Sequence, residues 1–164
     1  MSKNKYTFWL YNWFIPSVFL VLPVMFLNEV INNNTAYALV SSALIIAYYI
    51  YIVFRLETTL SKAHRFDMLM VPFIYMLMLV IIAKLFSISL TSTNSFLDTG
   101  KSISSFDYFY YCMISLTSVG YGDLSPGTTA DKIFAISMSL LGTLHMVMFI
   151  SVVVGKLTTL SRKS

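Results

Sequence analysis

Charge is scarce in this chain. Asp, Glu, Lys and Arg make up 11% of its 164 residues, against about a quarter in a typical soluble domain. Apolar residues make up 57%. So little polar surface cannot cover a body of this size in water, which excludes a freely soluble globular protein. Cysteine is nearly absent too. One thiol, Cys112, excludes an internal disulfide and is expected to behave as a small buried apolar residue. The net charge is only +4, and its placement accounts for it without a nucleic-acid partner.

What is present is length of apolar run. A helix crosses a bilayer in about 20 apolar residues. Four stretches reach that length: Phe8–Leu27, Ala36–Phe54, Met68–Ile88 and Ile133–Val154. A fifth, Phe106–Thr117, is apolar but too short, as expected of a re-entrant element. The first stretch follows Lys3 and Lys5 like a signal peptide. It is long, however, carries Pro16 and Pro23, and ends in Asn28-Glu29-Val30 without a small-residue cleavage site, so it is read as a retained membrane helix.

Lys and Arg near helix ends set the orientation. With the N-terminus inside, Lys3, Lys5, Arg55, Lys62, Arg65, Lys156, Arg162 and Lys163 all fall on the inner side. Lys101 and Lys132 fall outside with Asp98, Asp107, Asp123 and Asp131. Both termini are then cytoplasmic, and the plasma membrane is the expected location. Lys84 lies within the third stretch and is read as a lysine reaching for the outer headgroups. Asn33-Asn34-Thr35 matches a glycosylation acceptor, but the outer hairpin is short and close to the membrane.

The stretch Ser115-Leu116-Thr117-Ser118-Val119-Gly120-Tyr121-Gly122-Asp123 is the most specific motif. Gly120 and Gly122 alternate with Val119 and Tyr121, and glycine adopts positive φ without steric cost. A backbone alternating in hand turns successive carbonyls toward one axis. Ser104 and Ser105 precede the short apolar segment, with Asp107 in its first turn, an N-cap with a favourable charge. Pro126-Gly127 after the motif is a turn signal.

Set between a short apolar segment and a spanning one, the motif resembles the selectivity filter of the potassium channel family, with its Thr-Val-Gly-Tyr-Gly consensus. Ser102–Gly155 carry the resemblance, Met68–Lys101 fit it by position, and Met1–Phe54 match no pattern. The resemblance implies an all-α membrane protein: four transmembrane helices plus a re-entrant pore helix and filter loop, assembled as a tetramer. The organisation is then an N-terminal two-helix hairpin over 1–54, a cytoplasmic interfacial linker over 55–67, a pore module over 68–156 and a short cytoplasmic tail over 157–164. Within the module, 68–88 is the outer helix, 106–117 the pore helix, 118–123 the filter and 133–154 the inner helix.

The implied function is passive conduction of K+ without hydrolysis, so no enzyme and no cofactor are expected. The partners implied are K+, the bilayer and three identical subunits, because the chain carries one filter. Ser118, Val119, Gly120 and Tyr121 would bind the ion through backbone carbonyls, with the Ser118 hydroxyl as a further ligand and Gly122 completing the motif. Asp123, Tyr110 and Thr117 would support the filter, Tyr110 by bonding Asp123 where relatives often carry tryptophan. Gly142, nineteen residues past Asp123, resembles a gating hinge, though close packing of helices also explains a glycine there. His145, one turn further, is either a pH-sensitive cavity residue or a neutral histidine bonded to a hydroxyl.

Two departures matter. Ser118 stands where the family has threonine, and neither of the first two spans carries a row of Arg or Lys at three-residue spacing, which argues against steep voltage sensing. Nine residues follow Gly155, so no C-terminal ligand-binding domain is expected. A potassium transporter subunit would carry four relaxed filters in one chain. A non-conducting regulatory subunit of a related channel is the remaining alternative.

Overall fold

Asn33 opens the first helix described along its whole length in the computed structural model, which describes residues 27, 30–31, 33–60, 71–93 and 103–161. Its Oδ1 accepts the backbone N–H of Thr35 at 2.9 Å and of Ala36 at 3.1 Å. This is the side-chain cap that otherwise orphaned N-terminal amides require. Helix α1 then runs Asn34–Leu60, α2 Val71–Ser92, α3 Ser105–Leu116 and α4 Thr129–Ser161. Pro72 sits in the first turn of α2, where its missing N–H costs no bond.

Among the described residues, three helices are long and apolar enough to cross a membrane: Asn34–Phe54, Pro72–Ser92 and Thr129–Gly155. The expected span Phe8–Leu27 lies outside the described residues except for Leu27, as does the linker beyond Leu60. The other spans outrun their apolar runs for identifiable reasons. At the end of α2, Ser89, Thr91 and Ser92 return their hydroxyls to the carbonyls of Leu85, Ser87 and Ile88. Such bonding lets polar residues extend a helix beyond Ile88. Helix α4 starts at a cap ahead of Asp131 and Lys132, so these charges open it instead of excluding themselves from it. Helix α1 continues to Leu60, absorbing the first residues assigned to the linker.

Helices α2 and α4 each touch all three of the other helices. Asn34 Nδ2 donates to the Thr93 carbonyl at 3.2 Å, tying the start of α1 to the end of α2, so these two helices are antiparallel. Phe86 meets Phe134 edge-on at 6.2 Å, and Tyr75 meets Phe149 at 5.3 Å. Those paired contacts run α4 antiparallel to α2 and hence parallel to α1. Tyr37, Ile45, Tyr49, Ile82, Phe86, Leu90, Phe134 and Met138 are fully enclosed. Between membrane helices, contact of this kind is favoured by dispersion and interhelical hydrogen bonds more than by expulsion of water. Helix α3 lies against α2 and α4, with Cys112 buried. Burial pushes the Cys112 thiol up, leaving it neutral.

Candidate functional site

Helix α3 and the ten residues after it form one locally bonded unit. Ser104 caps the helix: its N–H and hydroxyl donate to Asp107 Oδ2 at 2.8 Å each, and its Oγ accepts the Asp107 N–H at 3.3 Å. This reciprocal box satisfies amides at both ends of the first turn. The Ser104 bonds hold the Asp107 carboxyl below its ordinary range.

At the other end, the last carbonyls of α3 need partners. Thr117 donates its N–H and its hydroxyl to the Met113 carbonyl, at 3.0 and 2.7 Å. Ser118 N–H reaches Ser115 at 3.2 Å. The Ile114 carbonyl then accepts two amides, Val119 at 2.9 Å and Gly120 at 3.1 Å. The chain therefore folds back over the helix end instead of leaving it.

Backbone hand alternates along this segment. Ser118 has φ 58°, Gly120 φ 51° and Gly122 φ 78°, every second residue. A Cβ added at Gly120 or Gly122 would meet nothing within 4 Å. Glycine is therefore needed there for its conformation and not for space. Ser118 is the one non-glycine residue with positive φ among those described. Sequence reading assigned positive φ to the glycines and missed the serine. The missed signal was that the first turn past a helix end commonly enters the left-handed region.

The outer end of the segment is held separately. The Tyr110 hydroxyl donates to Asp123 Oδ2 at 2.9 Å. That bond to a carboxylate, reinforced by nearby charge, raises the Tyr110 pKa above its usual value. Val119 and Tyr121 are 51% and 72% exposed, so within one chain their side chains have little to pack against.

The segment then enters α4 through a second box. Thr128 N–H donates to Asp131 Oδ2 at 2.9 Å, and Asp131 N–H to Thr128 Oγ1 at 3.2 Å. Asp131 is fully buried, and among the described residues its Oδ1 has no hydrogen-bond partner. Sequence reading placed Asp131 at the start of the inner helix, at the outer interface, but did not draw the cap that the Thr128-x-x-Asp131 spacing allows.

Gly142 faces the end of α3. A Cβ there would run into the Leu116 carbonyl oxygen and approach its carbonyl carbon to 2.8 Å. His145 lies 4% exposed between α1 and α2, away from the open face of α4. Its Nδ1 is 3.3 Å from the Tyr49 hydroxyl, which fits the hydroxyl-bonded histidine considered above. Lys84 is exposed on α2, with its Nζ 6.0 Å from the centroid of the Phe109 ring.

Residues 74–159 match the family model described as "Ion channel". The chain is 47% identical over 36 residues to Two pore potassium channel c of Oryza sativa subsp. japonica, covering 22% of this chain and 8% of that protein. It is 39% identical over 51 residues to Voltage-gated delayed rectifier potassium channel KCNH1 of Rattus norvegicus, covering 31% and 5%. It is 38% identical over 55 residues to Delayed-rectifier potassium channel regulatory subunit KCNS2 of Mus musculus, covering 34% and 12%. The chain thus spans a small fraction of the length of these relatives. No solved structure matches it.

Proposed function

Because this chain belongs to the ion channel family, among the potassium channels, we propose that it conducts K+ passively as one of four identical subunits around a shared axis. The observation that carries this reading is the run of positive φ at Ser118, Gly120 and Gly122. An alternating backbone of this kind can present the carbonyls of Ser118, Val119, Gly120 and Tyr121 to one line of ions. Carbonyl dipoles replace lost hydration without binding the ion too tightly to leave. Helix α3 would act as a re-entrant pore helix whose carbonyl end adds partial negative charge below the filter. Tyr110, Asp123 and Thr117 would hold that filter in place.

Assembly is supported by what one chain leaves open. Ile136, Leu140, Leu144, Val147, Ile150 and Val154 are exposed along α4 at helical spacing. They are continuous in sequence with the segment that exposes Val119 and Tyr121. Neighbouring subunits would cover part of this stripe, and the remainder would line the cavity. In this reading α2 is the outer helix and α4 the inner helix of a pore module over 68–156. A hairpin over 1–54 would complete four spans. The bias of Lys and Arg supports cytoplasmic termini in a plasma membrane. Gly142 remains the proposed position of any bend in α4. Nothing in this mechanism calls for a cofactor or a chemical step.

Vesicles loaded with potassium and carrying the purified chain test the reading. They should discharge potassium, but not sodium, when a protonophore supplies the counter-current. Equal release of both ions contradicts it.

Similarity to a regulatory potassium channel subunit favours a second reading. A regulatory role predicts no flux from the chain alone and an altered current when it is co-expressed with a conducting relative.

A further inference from the structure

His145 is an ionisable side chain in the middle of a spanning helix, and it is bonded to a different spanning helix. Its Nδ1 lies 3.3 Å from the Tyr49 hydroxyl of α1. The two rings are 5.8 Å apart at 56°, and the Tyr75 ring of α2 covers His145 at 5.2 Å and 52°. Tyr49, Tyr75 and His145 are 1%, 3% and 4% exposed, so the bonded groups have no water to exchange with. Breaking the bond leaves a polar group unpaired in an apolar surrounding. A neutral imidazole protonated at Nε2 keeps Nδ1 as an acceptor for the Tyr49 hydroxyl.

His145 is one helical turn past Gly142, about 4.5 Å along the axis. At Gly142 the α4 backbone rests directly on the Leu116 carbonyl. Two residues after Leu116 comes Ser118, and Ile114, two residues before it, accepts the amides of Val119 and Gly120. The grip of α1 on α4 therefore stands one rigid turn from the seat of the Ser118–Gly122 segment. Helix α4 is continuous from Thr129 to Ser161, so the bonded arrangement is one in which α4 keeps its helical backbone past Gly142.

We infer that Tyr49 and His145 form a latch by which α1 holds α4 seated on α3, opposing the movement of α4 that pore opening requires. The inference rests on the channel reading. It assigns α1, which has no counterpart in the family resemblance, a role in gating and none in selectivity. Tyr49 and His145 are positioning residues: neither touches the Ser118–Gly122 segment.

The test uses the full chain, Tyr49→Phe, His145→Gln and the double variant, in planar bilayers and by hydrogen exchange. Interhelical hydrogen bonds in membranes are individually modest, so Tyr49→Phe should raise open probability about threefold per latch released. It should also speed amide exchange in α4 around residues 142–149 and leave the K+/Na+ reversal potential unchanged. The double variant should add little to either single one. Selective current with open probability and exchange both unchanged in Tyr49→Phe overturns the latch and leaves the channel reading intact. Absence of potassium current from the unsubstituted chain overturns the channel reading. Exchange then decides the latch: faster exchange confined to that part of α4 supports it, and unchanged exchange overturns it.

Discussion

The Tyr110 hydroxyl donates to Asp123 Oδ2 across 2.9 Å, joining the middle of α3 to the far end of the segment that starts at the base of the same helix. The near end is fixed by the Ile114 carbonyl, which accepts Val119 and Gly120. One helix thus holds both ends of a segment with little other support from its own chain. Tyr110→Phe removes the outer tie and keeps the ring. Slow loss of potassium current during sustained opening should become severalfold faster in this variant, with unitary selectivity retained. An unchanged time course shows that the tie does not support conduction.

The same pair sets a limit in alkali. Tyr110 has a raised pKa because its neutral form donates to Asp123. Its contribution is therefore fully present below the ordinary tyrosine value near 10, and is lost as pH rises through the raised one. The alkaline limb of thermal stability should flatten in Tyr110→Phe. Asp107 behaves in the opposite sense. Its carboxyl is held low by Ser104, so its contribution is present above the ordinary carboxylate value and lost as pH falls through the lowered one. Asp107→Asn should remove an acid-dependent loss of stability that sets in as pH falls below the ordinary carboxylate value of about 4.

Ser118 holds φ 58°, a conformation costing a non-glycine residue roughly 1–2 kcal/mol, and more when the side chain is β-branched. Ser118→Thr should lower thermal stability and weaken block by barium applied from the inside. Ser118→Gly should keep or raise stability while losing the hydroxyl ligand, and so should also change block. Equal block in all three proteins would show that the Ser118 hydroxyl is not an ion ligand.

Gly142 separates two explanations of a glycine in a helix. Alanine improves helix propensity by about 1 kcal/mol, but here its Cβ meets backbone at Leu116, which cannot move aside cheaply. Gly142→Ala should therefore destabilise the protein by roughly 1–3 kcal/mol in thermal or denaturant unfolding. A pure hinge predicts altered gating with stability unchanged or improved.

How far the chain could be read from its sequence differs from residue to residue. Gly120 and Gly122 announce their conformation, because no other residue takes positive φ so easily. Ser118 does not: its φ follows from the fold-back of amides onto Ser115 and Ile114, a relation set by the end of α3. The three described spans were legible as apolar runs, but their ends were not. Hydroxyls that bond back into α2 and a cap that opens α4 with Asp131 are invisible to a count of apolar residues. Tyr110–Asp123 is local and could be anticipated. Tyr49–His145 joins positions 96 residues apart, and no spacing rule says which spanning helix covers which.

The most direct test of the central claim is the reversal potential of the purified chain in a planar bilayer, with potassium high on one side and sodium high on the other. The account predicts a current that reverses near the potassium equilibrium potential and follows it as the gradient is changed. A reversal potential that tracks sodium, or lies midway between the two ions, would contradict it.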